Sequence, residues 1–176
     1  MEKEALKNIM HFLKIKEDKS SFKWKLLNNE PLTEEDLDVK GDLDLYGSEI
    51  RTLPEGLKVK GYLSLAATEI TSLPKDLQVN GLLSLSHSDI ESLPEGLKVG
   101  SNLYLENCTN LTSLPEGLKV YGKLDLRNST SLKSLPKGLE VYSNLFIHNS
   151  GLAKLSDKEL REMVKPGFLK GDIYGR

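Results

Sequence analysis

The chain has one cysteine, Cys108, among its 176 residues, so an intrachain disulfide and a cysteine-built zinc site are both excluded. A lone thiol is in keeping with a reducing compartment. Net charge is also nearly missing. The 24 Lys and Arg against 26 Asp and Glu leave −2, which removes any global pull toward nucleic acid or an anionic membrane. Aromatic residues amount to 6%, too few to build a core. No apolar run approaches the roughly 20 residues that span a bilayer. The opening Met1-Glu2-Lys3-Glu4-Ala5-Leu6-Lys7 is densely charged, with neither an apolar stretch nor a small-residue cleavage site. A secretory signal is therefore not expected. The protein reads as soluble and cytoplasmic, with a non-Sec secretion route left open.

Signs of chemistry are equally sparse. There is no Walker motif, dinucleotide fingerprint or EF-hand loop. His11, His87 and His148 lack metal-ligand spacing. Ser86-His87-Ser88-Asp89 holds the residue types of a hydrolytic triad, but adjacency in sequence is not triad geometry, and the segment reads as a loop turn. The expectation is a non-enzyme with no catalytic residue, cofactor or metal.

What the sequence has in abundance is repetition. Leu-Pro-x-x-Leu-x-Val begins at Leu53, Leu73, Leu93, Leu114 and Leu135, and a degenerate copy leads in from Leu37. Leu-x-Leu or Leu-x-Ile pairs follow at Leu43/Leu45, Leu63/Leu65, Leu83/Leu85, Leu103/Leu105, Leu124/Leu126 and Leu145/Ile147. A further apolar position closes each copy at Ile50, Ile70, Ile90, Leu111, Leu132 and Leu152. Leu-x-Leu has the period of a strand, with both leucines on one face. One such strand cannot bury its leucines alone. Stacking the copies at about 4.8 Å pairs the strands in parallel and fuses the leucines into one core. The prolines at 54, 74, 94, 115 and 136 lie outside these strands, where a missing N–H does little harm.

Leu63-x-Leu65-x-x-Thr68-x-Ile70-x-x-Leu73-Pro74 resembles the short bacterial leucine-rich repeat of type III-secreted effectors and of small bacterial and phage proteins. The resemblance covers residues 37 to 155. It implies an α/β repeat solenoid of about six 20–21-residue coils with a parallel sheet on a concave, ligand-binding face. Two departures stand out. The family's inward Asn is replaced by Ser48, Thr68, Ser88, Cys108, Ser129 and Ser150, which places Cys108 in a buried column as a structural thiol. The alternation Leu57, Val59, Gly61, Leu63, Leu65 also runs unbroken, which allows a second short strand before the glycine and a β-helix-like coil.

Solenoid ends expose core and strand edges, so caps are expected over 1–36 and 156–176. Leu6, Ile9, Met10 and Leu13 fall on one helical face over residues 2–17, and a second short helix carries Phe22, Trp24, Leu26 and Leu27. Ser156-Asp157-Lys158-Glu159 is a capping box opening a helix through Val164, and Phe168–Tyr174 reads as a last strand or tail.

The leucines fix which residues face outward. Three columns result, containing Tyr62, Leu82 and Lys123; Asp44, Tyr104, Asp125 and Phe146; and Tyr46, Glu106, Arg127 and His148. The resemblance places these on the concave face, and aromatic residues there favour contact. Tyr121 and Tyr142 extend the aromatic patch toward the carboxyl half. The expected function is a protein-binding module, an effector or an inhibitor. The alternative is a carbohydrate or surface-polymer binder that stacks sugar rings on the tyrosines. Nucleic acid and membrane are not expected partners.

Overall fold

A computed structural model describes residues 21–175. The helix expected over 2–17 lies outside the described residues, as does His11. Each rung of the structure contributes two strands of two residues. In chain order these are β1 (Asp38–Val39) and β2 (Leu43–Asp44), β3 (Lys58–Val59) and β4 (Leu63–Ser64), β5 (Gln78–Val79) and β6 (Leu83–Ser84). There follow β7 (Lys98–Val99) and β8 (Leu103–Tyr104), β9 (Lys119–Val120) and β10 (Leu124–Asp125), β11 (Glu140–Val141) and β12 (Leu145–Phe146), β13 (Phe168–Leu169) and β14 (Ile173–Tyr174). The odd strands form one seven-stranded parallel sheet and the even strands a second. The molecule is a parallel β-solenoid.

This corrects the expectation of a single sheet. The physical reason is the unbroken alternation: Leu57 and Val59 are as completely buried as Leu63 and Leu65, so the chain has two strand faces per turn with a glycine corner between them. The corner brings coils into close contact. Gly61 N–H donates to Gly41 O, Gly81 to Gly61, Gly122 to Ser101 and Gly171 to Ser143, and every donor is a glycine.

Register follows the leucine columns without slippage: Leu43 pairs with Leu63, Leu63 with Leu83, Leu83 with Leu103, Leu103 with Leu124, and Leu124 with Leu145. Inside, these leucines join the Ile70, Ile90, Leu111 and Leu132 columns in one core. Each fully buried leucine is worth about 1.5–3 kcal/mol of transfer free energy. The turns that follow the even strands share a left-handed residue, at Gly47, Ala67, His87, Asn107, Asn128 and Asn149. Asn and Gly suit that conformation and His tolerates it, whereas Ala67 holds it against its own preference.

The serine-type column points inward, and Thr68, Ser88, Cys108 and Ser129 are buried. Thr68 Oγ1 and Ser88 Oγ donate to carbonyls three residues back in their own coils, at 2.7 and 2.6 Å. Cys108 Sγ and Ser129 Oγ instead reach the preceding coil, donating to Leu85 O at 3.1 Å and Leu105 O at 2.6 Å. Burial pushes the Cys108 thiol up to about 11. The native protein should therefore resist a thiol-specific reagent at neutral pH and react once unfolded. Because the folded value lies above that of an exposed thiol, this group's stabilisation is complete below pH 9 and is lost as pH rises toward 11. Rapid native-state labelling would contradict the inward placement.

The short helix α1 (Phe22–Leu27) opens on Ser21, whose hydroxyl accepts from Trp24 N at 3.2 Å, and it buries Phe22. Lys25 reaches forward to Asp36 at 2.8 Å, and Asp36 also accepts from Thr33 N and Thr33 Oγ1. The bond from Lys25, helped by those from Thr33, holds the Asp36 carboxyl down at about 2. This link should be intact above the ordinary carboxylate range and be lost as pH falls toward 2. An NMR titration of Asp36 should give a depressed midpoint that returns toward 3.8 in Lys25→Met. An ordinary midpoint in the parent protein would contradict the link.

At the carboxyl end α2 (Asp157–Met163) starts with the capping box read from sequence: Glu159 N donates to Ser156 Oγ at 3.3 Å and Ser156 N to Glu159 Oε2 at 2.7 Å. The helix replaces the Leu-Pro return between β12 and β13 and buries Leu160 and Val164 in the core. The segment after it does more than trail. It adds a full rung, pairing Glu140 with Phe168 in the first sheet and Phe146 with Tyr174 in the second.

Candidate binding surface

The even strands turn their leucines inward, so the alternate positions form the outer face of the second sheet. Six of the residues expected to bind come together at its carboxyl half. Tyr104, Glu106, Lys123, Asp125, Arg127 and Phe146, with Ser86, line a depression of about 350 Å³.

An ion-pair network forms one side of the depression. Arg127 Nε donates to Asp125 Oδ1 at 2.9 Å and Nη2 to Asp125 Oδ2 at 2.6 Å, and the same Nη2 reaches Glu106 Oε2 at 3.1 Å. A fork of this kind fixes a guanidinium geometrically. The Asp125 hydrogen bonds raise the Arg127 pKa further, so the group stays cationic. Asp125 itself is buried, so its carboxylate serves Arg127 and is not open to a ligand. It also accepts from Arg127 N at 3.1 Å, as Asp44 does from Tyr46 N at 2.9 Å, so the side chain pins the end of its own strand.

An aromatic shelf forms the other side. Phe146 stacks on Tyr174 with centroids 5.0 Å apart and planes 14° from parallel, and Lys123 Nζ stands 6.0 Å from the Phe146 centroid. Stacked rings of this geometry hold each other rigid, and the ammonium adds a cation–π contact. Tyr174 is exposed at 41% and forms the outer edge of the shelf. Sequence reasoning missed it, because α2 displaces its rung from the 20–21-residue period.

The remaining expected residues are not part of this cluster. Tyr46 is 68% exposed and stands at the amino-terminal end with Asp44 and Tyr62. Leu82 is half-buried, and His148 is exposed outside the depression lining. Tyr121 and Tyr142 belong to the first sheet's side, where they stack at 5.0 Å, and Phe168 meets Tyr142 edge-on at 5.0 Å. Tyr142 Oη donates to Glu140 Oε2 at 3.1 Å, and Glu140 pairs with Lys119 at 2.9 Å. Those bonds lower the Glu140 carboxyl and raise both Lys119 and Tyr142. Beside them is a second depression of about 570 Å³, lined by Lys75, Gln78, Asn80, Lys98, Gly100 and Tyr121 among others. Its lining comes largely from the first sheet and the residues beside it, at Gln78, Val79, Asn80 and Lys98.

Of the triad residue types, His87 sits in the left-handed turn with Nε2 3.3 Å from Asn107 Nδ2, while Ser88 points inward. The two therefore cannot act as a nucleophile and base. Among the described residues no group of three or more His, Cys, Asp or Glu converges to hold a metal, and no helix is long and apolar enough to cross a membrane. The fold is leucine-rich-repeat-like in its spacing, while the chain matches no family model, no curated protein and no solved structure.

Proposed function

We propose that the protein is a non-enzymatic binding module that holds a partner protein against the carboxyl half of the second sheet. The observation that carries this is the rigid Phe146–Tyr174 shelf beside the fixed Arg127 guanidinium and the exposed Lys123. Aromatic and arginine side chains are the residue types that dominate protein interfaces, and preorganised ones give up little entropy on binding. The resemblance to the short bacterial repeat supports an effector or inhibitor acting on that partner in the cytoplasm.

The alternative is glycan binding, and one observation favours it. The Tyr121–Tyr142 stack borders a depression that also presents the Gln78 and Asn80 amides, a combination suited to sugar rings and hydroxyls. The two readings use different faces, so variants separate them. Phe146→Ala/Tyr174→Ala should weaken capture of a protein partner by more than about tenfold, the equivalent of about 1.4 kcal/mol, while Tyr121→Ala leaves it unchanged. Binding on a glycan array that is lost only in Tyr121→Ala would replace protein binding with the glycan reading.

A further inference from the structure

Among the described residues no strand pairs beyond the first or the last rung, and the hydrogen-bond directions decide what each end could accept. In the second sheet every rung donates toward the carboxyl end, as Leu43 N does to Tyr62 O and Leu45 N to Ser64 O. In the first sheet donation runs the other way, as from Lys58 N to Leu37 O and Lys60 N to Val39 O. The last rung therefore presents the N–H groups of Ile173 and Gly175 and the carbonyls of Gly167, Leu169 and Gly171. The first rung presents the carbonyls of Asp42 and Asp44 and the N–H groups of Asp38, Lys40 and Gly41.

These two sets are complementary. A second copy added head to tail in the same register would pair Ile173 N with its Asp42 O and Gly175 N with its Asp44 O. Its Asp38, Lys40 and Gly41 N–H groups would donate to Gly167 O, Leu169 O and Gly171 O. Exposed edges of this kind are templates for further strands.

Four of those five bonds already have one partner occupied. Arg161, projecting from α2, donates through Nη1 to Leu169 O and through Nη2 to Gly171 O, the latter at 2.9 Å. Lys23, from α1, donates to Asp44 O. Asp38 N is taken by Glu35 O at 3.2 Å. Of the five joining bonds, only Ile173 N to Asp42 O keeps both of its partners uncommitted among the described residues.

We infer that Arg161 and Lys23 are edge guards that keep the solenoid from adding a second copy of itself end to end. Their side chains occupy the backbone acceptors of the join. A cationic group there also brings a charge that an incoming strand would have to desolvate. The two short helices thus have a role that their small buried surfaces do not explain, since each carries the side chain that closes one end.

The test is sedimentation velocity over a range of concentrations on the full chain. The parent protein should remain one species. Lys23→Ala/Arg161→Ala, with its far-UV spectrum unchanged, should form concentration-dependent chains with a several-fold larger average mass. Adding Ile173→Pro to that variant removes one donor of the join, whose N–H points away from the stack, and sets a proline ring where the incoming strand must lie, so the variant should return to a single species. Arg161→Gln replaces the alanine variant if the latter loses its spectrum. A folded double variant that stays single at every concentration would overturn the inference. So would chains that persist with Ile173→Pro, because those would not use this edge.

Discussion

Leu105→Ala should lower the free energy of unfolding by about 2–5 kcal/mol, the range for truncating a buried leucine in a core that only partly collapses. Leu105 is fully buried and follows β8 in the middle of the stack. Its backbone N–H donates to Asp125 O at 2.8 Å and its carbonyl accepts from Ser129 Oγ, bonds that alanine keeps and that hold the backbone in place around the cavity. In a solenoid, stability is a sum of rung terms and nearest-neighbour interfaces, so a central defect weakens contacts on both sides. Chemical denaturation measures the effect. Leu27→Ala, at a position 40% exposed, is the control and should cost about 0.5 kcal/mol or less. Equal costs for the two would mean that the leucine columns do not share one interior.

The second large effect comes from adding a single methyl group at the corner. A Cβ at Gly81 would lie 2.5 Å from Gly61 O, 2.7 Å from Gly61 C and 3.0 Å from Tyr62 N. All three are backbone atoms of the preceding coil and cannot rotate aside. Overpacking of this kind costs about 1–3 kcal/mol or more. The opposing benefit, a less flexible unfolded chain, is only about 0.4–1 kcal/mol, so destabilisation wins. Gly41 has the same corner position on the first rung, with nothing within 4 Å of its added Cβ, and Gly41→Ala should be close to neutral. The contrast isolates coil-to-coil approach from any intrinsic need for glycine. A Gly81→Ala variant as stable as Gly41→Ala would contradict the tight corner.

The sequence and the fold agree most closely where a period-2 pattern repeats. The leucine pairs at 63/65, 83/85 and 103/105 specify a strand, its face and its register, because a one-residue slip would turn every leucine outward. The first sheet was half legible: Leu57 and Val59 alternate as a strand must, but the Leu-Pro step just before them reads as an extended return path and not as a paired strand. The carboxyl rung was obscured for a different reason. An inserted helix breaks the period, so Phe146 and Tyr174, 28 residues apart in sequence, become direct neighbours in the sheet. Alternation also marked Asp125 as an outward residue. It is one, yet Arg127 two positions on covers it, and pairwise covering leaves no trace in a periodic pattern. The left-handed turn at Ala67 has no sequence signal, since alanine does not favour that conformation.

The proposed docking of a protein partner on the carboxyl half of the second sheet can be read out by site-specific photocrosslinking. A photoreactive phenylalanine analogue is placed at Phe146 in one protein and at Tyr46, the most exposed aromatic at the other end of the same face, in a second. Irradiation in the presence of candidate partner proteins should give one discrete protein adduct from position 146 and none from position 46. An adduct confined to position 46, or none from either position while binding persists, would contradict the assignment and move the interface away from Phe146 and Tyr174.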